Sequence, residues 1–301
     1  MKIGLIGLGK MGAQIGARLI ANNHEVVAID TNQAAKDALA NLGGVCAESR
    51  DELLEQLPQP AIIWLMIPSG AVSDEIDAWL ELLPSGSIII DGGNSDFRLT
   101  MQRATTCQEK GVHLMDVGTS GGILGLKNGF SMMVGGDDQA YQHITPIIDT
   151  LAQPGGYAHF GAAGAGHYVK MVHNAIEYGM MEAYAEGYRL LKEGPFPAVD
   201  LAAAGSVWQH GSIISSDLNG LAAEVFAESP DLDGIEGFVA ESGEARWALE
   251  VAESQKVAMP AIQAAFEVRR ASQTGDISFA TKLLAALRNK FGGHSIHKNE
   301  V

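Results

Sequence analysis

Short apolar runs separated by amphipathic stretches fill the first half of the chain. Ile3–Ile6, Val26–Ile29, Ala61–Ile67, Ser87–Ile90, Val112–Met115, Ser131–Val134 and Tyr157–Phe160 read as strands. Several are apolar throughout, as strands covered on both faces are. Between the early ones, Met11–Asn22 and Ala71–Leu83 carry helical patterns, the second ended by Pro84 and Gly86. This alternation predicts an α/β fold with a parallel, doubly wound sheet.

The pattern changes after Phe160. The run from Gly161 to Gly166 is built of small residues, and no convincing strand follows it. His167–Glu193 is one long helical pattern, stopped by Gly194, Pro195, Phe196 and Pro197. Further helical stretches fall near 198–215, 218–228, 243–256, 259–272 and 278–290. Two domains are therefore expected, 1–163 and an all-helical 164–301, followed at the end by a polar tail from Gly292.

Composition narrows the class. A chain of 301 residues, 47 % apolar and 19 % charged, can bury a large core without a metal or disulfide staple. Its 36 acidic against 20 basic residues give a net charge of −16, which argues against nucleic-acid binding. Two cysteines, Cys46 and Cys107, fit a reduced compartment. With no visible targeting segment and no apolar run of membrane length, a cytoplasmic location is expected.

Gly7-Leu8-Gly9-Lys10-Met11-Gly12 matches G-x-G-x-x-G, follows a strand and opens a helix. The first glycine permits a tight turn, the second lets backbone approach a pyrophosphate, and the third lets helix and strand pack closely. The helix N-terminus then offers unpaired N–H groups to the phosphates. In this setting the motif reads as the cofactor loop of a Rossmann-like domain. Asp30 ends the second strand, where a carboxylate can accept hydrogen bonds from the ribose hydroxyls but repels a 2′-phosphate. No arginine follows in Thr31 or Asn32, so NAD is favoured over NADP; the alternative is an Asp that only caps a turn.

On the long helix, Lys170, His173, Asn174 and Glu177 fall at i, i+3, i+4 and i+7 on one face, about 10 Å from end to end. That face carries a base, two hydrogen-bonding groups and an acid, or else a solvated polar strip. Two glycine-rich segments, Asp91–Ser95 and Gly118–Gly122, read as loops outside the carboxyl ends of strands, where ligands of such sheets bind.

These residues carry a specific resemblance. Residues 7–12, Ile90-Asp91-Gly92-Gly93-Asn94, Ser120-Gly121-Gly122, Lys170–Gly179 and Arg288–His294 together resemble the decarboxylating 6-phosphogluconate dehydrogenases, in their short form. The resemblance implies oxidative decarboxylation of 6-phosphogluconate to ribulose 5-phosphate, a step of gluconate use in the pentose phosphate pathway. It makes Lys170 the general base at the C3 hydroxyl, which requires a neutral amine, and Glu177 the acid that protonates C1 of the enediol. Met66, Ile67, Pro68 and Asn94 would border the cofactor. Asn94, Ser120, Gly121, Gly122, His173, Asn174, Tyr178 and Arg269 would bind substrate, with Arg270 an alternative register for Arg269. Arg288 and His294 would reach the site of another subunit in a homodimer or homotetramer. No metal is implied, and His167, His173, His294 and His297 lack ligand spacing.

One departure stands out. Longer members carry Lys and Thr where this chain has Ser242 and Glu244, so a cationic phosphate contact is missing. The rival readings are another β-hydroxyacid dehydrogenase, an imine reductase of similar build, and a non-catalytic NAD-binding protein. The last has no use for a paired base and acid.

Overall fold

The computed structural model describes residues 1–122, 125–196 and 198–293. The chain forms two compact units, Met1–Met171 and Val172–Val301. This division falls inside a long helix, Ala165–Glu193.

The first unit runs β1 (Lys2–Ile6), α1 (Lys10–Ala21), β2 (Glu25–Ile29), α2 (Gln33–Asn41), β3 (Val45–Cys46), α3 (Arg50–Glu55), β4 (Ile62–Leu65) and α4 (Val72–Leu80). It continues with β5 (Ile88–Asp91), α5 (Phe97–Glu109), β6 (His113–Ser120), α6 (Gly125–Asn128), β7 (Phe130–Gly135), α7 (Asp138–Leu151), β8 (Ala152–His159) and the start of α8 (Ala165–Glu193). The eight strands form one sheet in the order β3-β2-β1-β4-β5-β6-β7-β8. The order reverses between β1 and β4, which places a crevice at the carboxyl ends of those strands.

Every residue of β4 and β5 is buried. Alternate residues serve opposite faces: Ile62 and Trp64 join one apolar cluster with Leu5 and Ile90, while Ile63 and Leu65 join another with Val27 and Ile89. Two features depart from the sequence expectation. The two-residue β3 is too short for periodicity to reveal, and β7 runs antiparallel to β6, with Asp116–Ser120 opposite Ser131–Gly135. That pairing draws Gly118, Thr119 and Ser120 into β6, so the expected loop begins only at Gly121.

The second unit holds the rest of α8 and α9 (Leu201–Gln209), α10 (Asp217–Glu228), α11 (Glu244–Gln255), α12 (Pro260–Ser272) and α13 (Phe279–Gly292), with no strand among the described residues. Its core packs Met181, Ala185 and Tyr188 of α8 against Phe226, Leu283, Leu284 and Leu287. The Ser278–Thr281 capping box starts α13, and every residue from Leu283 to Arg288 is buried. A helix buried on all sides in this way is the central strut of its domain.

Candidate active site

The glycine loop has the geometry its sequence calls for. Gly7 adopts φ +94°, and a Cβ there would lie 2.5 Å from the Met66 carbonyl oxygen. A Cβ on Gly12 would lie 2.1 Å from the Gly7 oxygen, so the third glycine is fixed by close packing. Nothing lies within 4 Å of a Cβ built on Gly9. That open side, beside the exposed Lys10 and at the N-terminus of α1, is the approach a pyrophosphate requires. Leu8 and Met11 turn the other way, Leu8 buried and Met11 packed against the core.

Asp30 is tied to this loop. Its Oδ2 accepts the Leu8 N–H, and its Oδ1 accepts the Asn32 N–H at 2.6 Å. The turn-capping role and the loop contact therefore coexist, and each oxygen keeps a lone pair for a further donor. The first cation downstream, Lys36, is held by Glu48 at 2.8 and 3.0 Å.

The neighbouring loops continue the strand pairing. Met66 N–H donates to Ile6 O and Gly92 N–H to Leu65 O. Met66 and Ile67 are half-buried, with Pro68 exposed. Buried Asp91 shapes the next loop: its carboxylate accepts from Gly93 N, from Ser95 Oγ at 2.7 Å and from Arg103 at 3.4 Å. Arg103 also donates to Ser73 Oγ and Ser69 O, joining this loop to the one after β4. Asn94 stands exposed at its tip. The motif showed Asp91 as part of a pattern but not its partner, which lies 12 residues on.

Lys170 is 6 % exposed, the desolvated setting a general base needs. The first turn of α8 is anchored by Asp116 on β6, a fully buried carboxylate whose two oxygens accept the N–H groups of Gly164 and His167, each at 2.7 Å. His167 is also held by Thr100, through Nδ1 at 2.8 Å. Gly118 lies directly under the lysine: a Cβ there would come within 2.3 Å of Lys170 Cβ. Sequence reasoning missed Asp116 because the groups it binds lie about fifty residues away. Ser120, Gly121 and Gly122 end β6 and turn away from it, the glycines at φ +134° and +52°.

Within the second unit, His173 Nδ1 meets Asn174 Oδ1 at 2.9 Å, and Asn174 Nδ2 donates to Glu244 Oε1 at 3.1 Å. Glu177 is half-buried and acts electrostatically on both Arg269 and Arg288. Arg269, 2 % exposed, stacks on Tyr178 with its guanidinium carbon 3.3 Å from the ring centre. Arg270 is exposed, with its guanidinium carbon 6.0 Å from the centre of the Phe266 ring. Burial holds both Arg269 and Arg288 below the usual guanidinium range, Tyr178 working against it.

The structure corrects one expectation here. Arg288, expected to reach another subunit, is buried beside Tyr178 and Glu244 of its own chain, because α13 is packed inside its own domain. Glu244, set aside in the sequence for its acidic character, belongs to this cluster as the partner of Asn174. Ser242 joins it through its N–H, 3.4 Å from Tyr178 Oη. His294 lies outside the described residues.

Comparison with known proteins agrees with this picture. Residues 2–166 match the NAD binding domain of 6-phosphogluconate dehydrogenase, and residues 166–281 match the 6-phosphogluconate dehydrogenase C-terminal domain. The chain is 43 % identical over 298 residues to the Bacillus subtilis protein YqeC, named provisionally as a 6-phosphogluconate dehydrogenase, covering 99 % of this chain and 100 % of that one. It is 39 % identical over 306 residues to the NAD-dependent, decarboxylating 6-phosphogluconate dehydrogenase of Haloferax volcanii, covering both chains in full. Among solved structures, Plasmodium falciparum 6-phosphogluconate dehydrogenase superposes with a TM-score of 0.83 at 27 % identity, over 97 % of this chain and 65 % of that one.

Proposed function

Because the chain belongs to the 6-phosphogluconate dehydrogenase family, we propose that it converts 6-phosphogluconate and NAD to ribulose 5-phosphate, CO₂ and NADH. The observation that carries this reading is the pair Arg269 and Arg288. Both are buried, and neither forms an ion pair among the described residues. Buried cations without a direct ion pair are costly, and a dianionic phosphate offsets that cost with many acceptor oxygens. A chain of net charge −16 repels sugar phosphates at long range, so its binding rests on such local cations.

The residues supply the acid–base steps. NAD, when bound, provides the hydride acceptor, and Gly7, Gly9, Gly12 and Asp30 are the groups that would hold it. Lys170 takes the proton of the C3 hydroxyl as C3 is oxidised, then returns it to the ketone oxygen as the C1 carboxylate leaves as CO₂. Glu177, two turns along α8, protonates the enediol carbon that becomes C1 of the product. Asn94, Ser120, Gly121, Gly122, His173, Asn174 and Tyr178 orient the sugar acid. Asp30 supports NAD over NADP, since the first cation after it, Lys36, is already held by Glu48 rather than open to a 2′-phosphate. The assembly is read as a homodimer or homotetramer in which His294 completes a neighbouring site, and the location as cytoplasmic, with Cys46 and Cys107 both free thiols.

Supplying 6-phosphogluconate with NAD or NADP, while following reduced cofactor and CO₂ together, tests the reading. Equal yields of NADH and CO₂ are expected. Reduction without CO₂ removes Glu177 from its role, and a preference for NADP overturns the reading of Asp30.

A further inference from the structure

Beyond the arginine pair, the helical unit carries an open cavity of about 650 Å³ between α8, α12 and the start of α13. Glu182, Glu186 and Glu193 of α8, Glu267 of α12 and Asp276 line it, with a single cation, Arg189. That arginine is already held by Glu193 at 3.0 Å. Leu190 and Val268 give the cavity apolar stretches between the carboxylates.

Glu182 differs from the other four. It is 7 % exposed, and its Oε2 is buried with no hydrogen-bond donor. Arg269 lies close enough to act on it but is turned to Tyr178 and Met181 instead. A buried carboxylate oxygen without a donor is costly, and a ligand that donates to it recovers that cost. The five carboxylates are spread out, and no three His, Cys, Asp or Glu among the described residues are placed to hold a metal ion. Separated positive charges on an apolar chain suit such a surface better than a point charge.

We propose that this cavity binds an aliphatic polyamine. One ammonium group donates to Glu182 Oε2, the methylene chain lies along Leu190 and Val268, and a second ammonium meets Glu267 or Asp276. Burial, then the neighbouring Glu186, pushes the Glu182 carboxyl up to about 7 against the opposing pull of Arg269. Ammonium binding holds that carboxyl ionised, so at and below neutral pH complex formation releases a proton.

Titration calorimetry of the full chain with spermidine, at about pH 6.5 in two buffers of different ionisation heat, reads binding and proton release together. One saturable site with net proton release is expected. Glu182→Gln should abolish the release and weaken binding by about tenfold or more. Asp276→Asn, at the rim, should weaken binding by a smaller factor while keeping the release. Glu25→Gln on β2 removes the same charge elsewhere and should change neither. The proposal is overturned by the absence of a saturable site, by equal weakening in Glu25→Gln and Glu182→Gln, or by magnesium chloride producing the same isotherm.

Discussion

Arg269 lies face-on against Tyr178, with its guanidinium carbon 3.3 Å from the centre of the ring, at a position 2 % exposed to solvent. A planar guanidinium can pack this closely on a ring while its N–H groups point to other partners, Nη2 to Met181 Sδ at 3.3 Å, an arrangement an ammonium cannot reproduce. Arg269→Lys should therefore raise KM for 6-phosphogluconate by about 30-fold, equivalent to about 2 kcal/mol, and leave KM for NAD unchanged. Steady-state kinetics with each substrate varied in turn checks this. Equal effects on the two substrates would remove Arg269 from the phosphate site.

Gly118 and Lys170 are packed backbone to side chain. A methyl group on Gly118 would approach Lys170 Cβ to 2.3 Å and Cγ to 2.8 Å, atoms too near the helix backbone to swing aside. Gly118→Ala must displace the lysine, and a displacement of this kind costs about 10²-fold in rate. The expected signature is a fall in kcat of that order with NAD binding, read by nucleotide fluorescence, left intact. A kcat within threefold of the parent would show that Lys170 tolerates the shift.

Asp116 offers both carboxylate oxygens to the first turn of α8, at 2.7 Å to Gly164 N and His167 N. Asp116→Asn keeps the shape but turns an NH₂ group onto one of those N–H donors and removes the charge favoured at a helix N-terminus. The expected loss is about 2–4 kcal/mol, read from urea unfolding. A loss under about 1 kcal/mol would mean that Asp116 does not anchor the helix.

The pattern that made the glycine loop and the polar face of α8 legible is local. Gly7, Gly9 and Gly12 answer to contacts within one strand–turn–helix, and the polar face of α8 is written at a spacing of three and four residues. What escaped the sequence was made by distant pairing. Asp116 meets a helix some fifty residues on, Asp91 meets Arg103 beneath a loop, and β7 reverses direction without any change in its apolar run. Arg288 was legible as a cation of the motif, but its burial beside Tyr178 of the same chain follows from the packing of α13, which periodicity does not specify.

Asp30 joins its loop through Leu8 and Asn32, and the first cation downstream, Lys36, is committed to Glu48. On the proposed reading, charge more than shape disfavours a 2′-phosphate here. Asp30→Asn preserves an acceptor for the ribose and lifts the repulsion, so the ratio of kcat/KM for NAD over NADP should fall by about tenfold, mainly through a lower KM for NADP. An unchanged ratio would assign the preference to another residue.

Glu182 links stability to pH. Burial and Glu186 raise its carboxyl to about 7 in the folded protein, against an ordinary value of 4.5. The native state thus holds this proton more tightly than the unfolded chain does. Its contribution to stability is complete below about pH 4.5 and is lost as the pH rises through about 7. Glutamine mimics the protonated form and cannot titrate. Glu182→Gln should match the parent in Tm near pH 4.5, exceed it by a growing margin through neutrality, and hold a constant lead above about pH 8. Differential scanning calorimetry across that range measures the margin. A difference that stays flat with pH would show that Glu182 is ionised throughout and that its buried oxygen is solvated in solution.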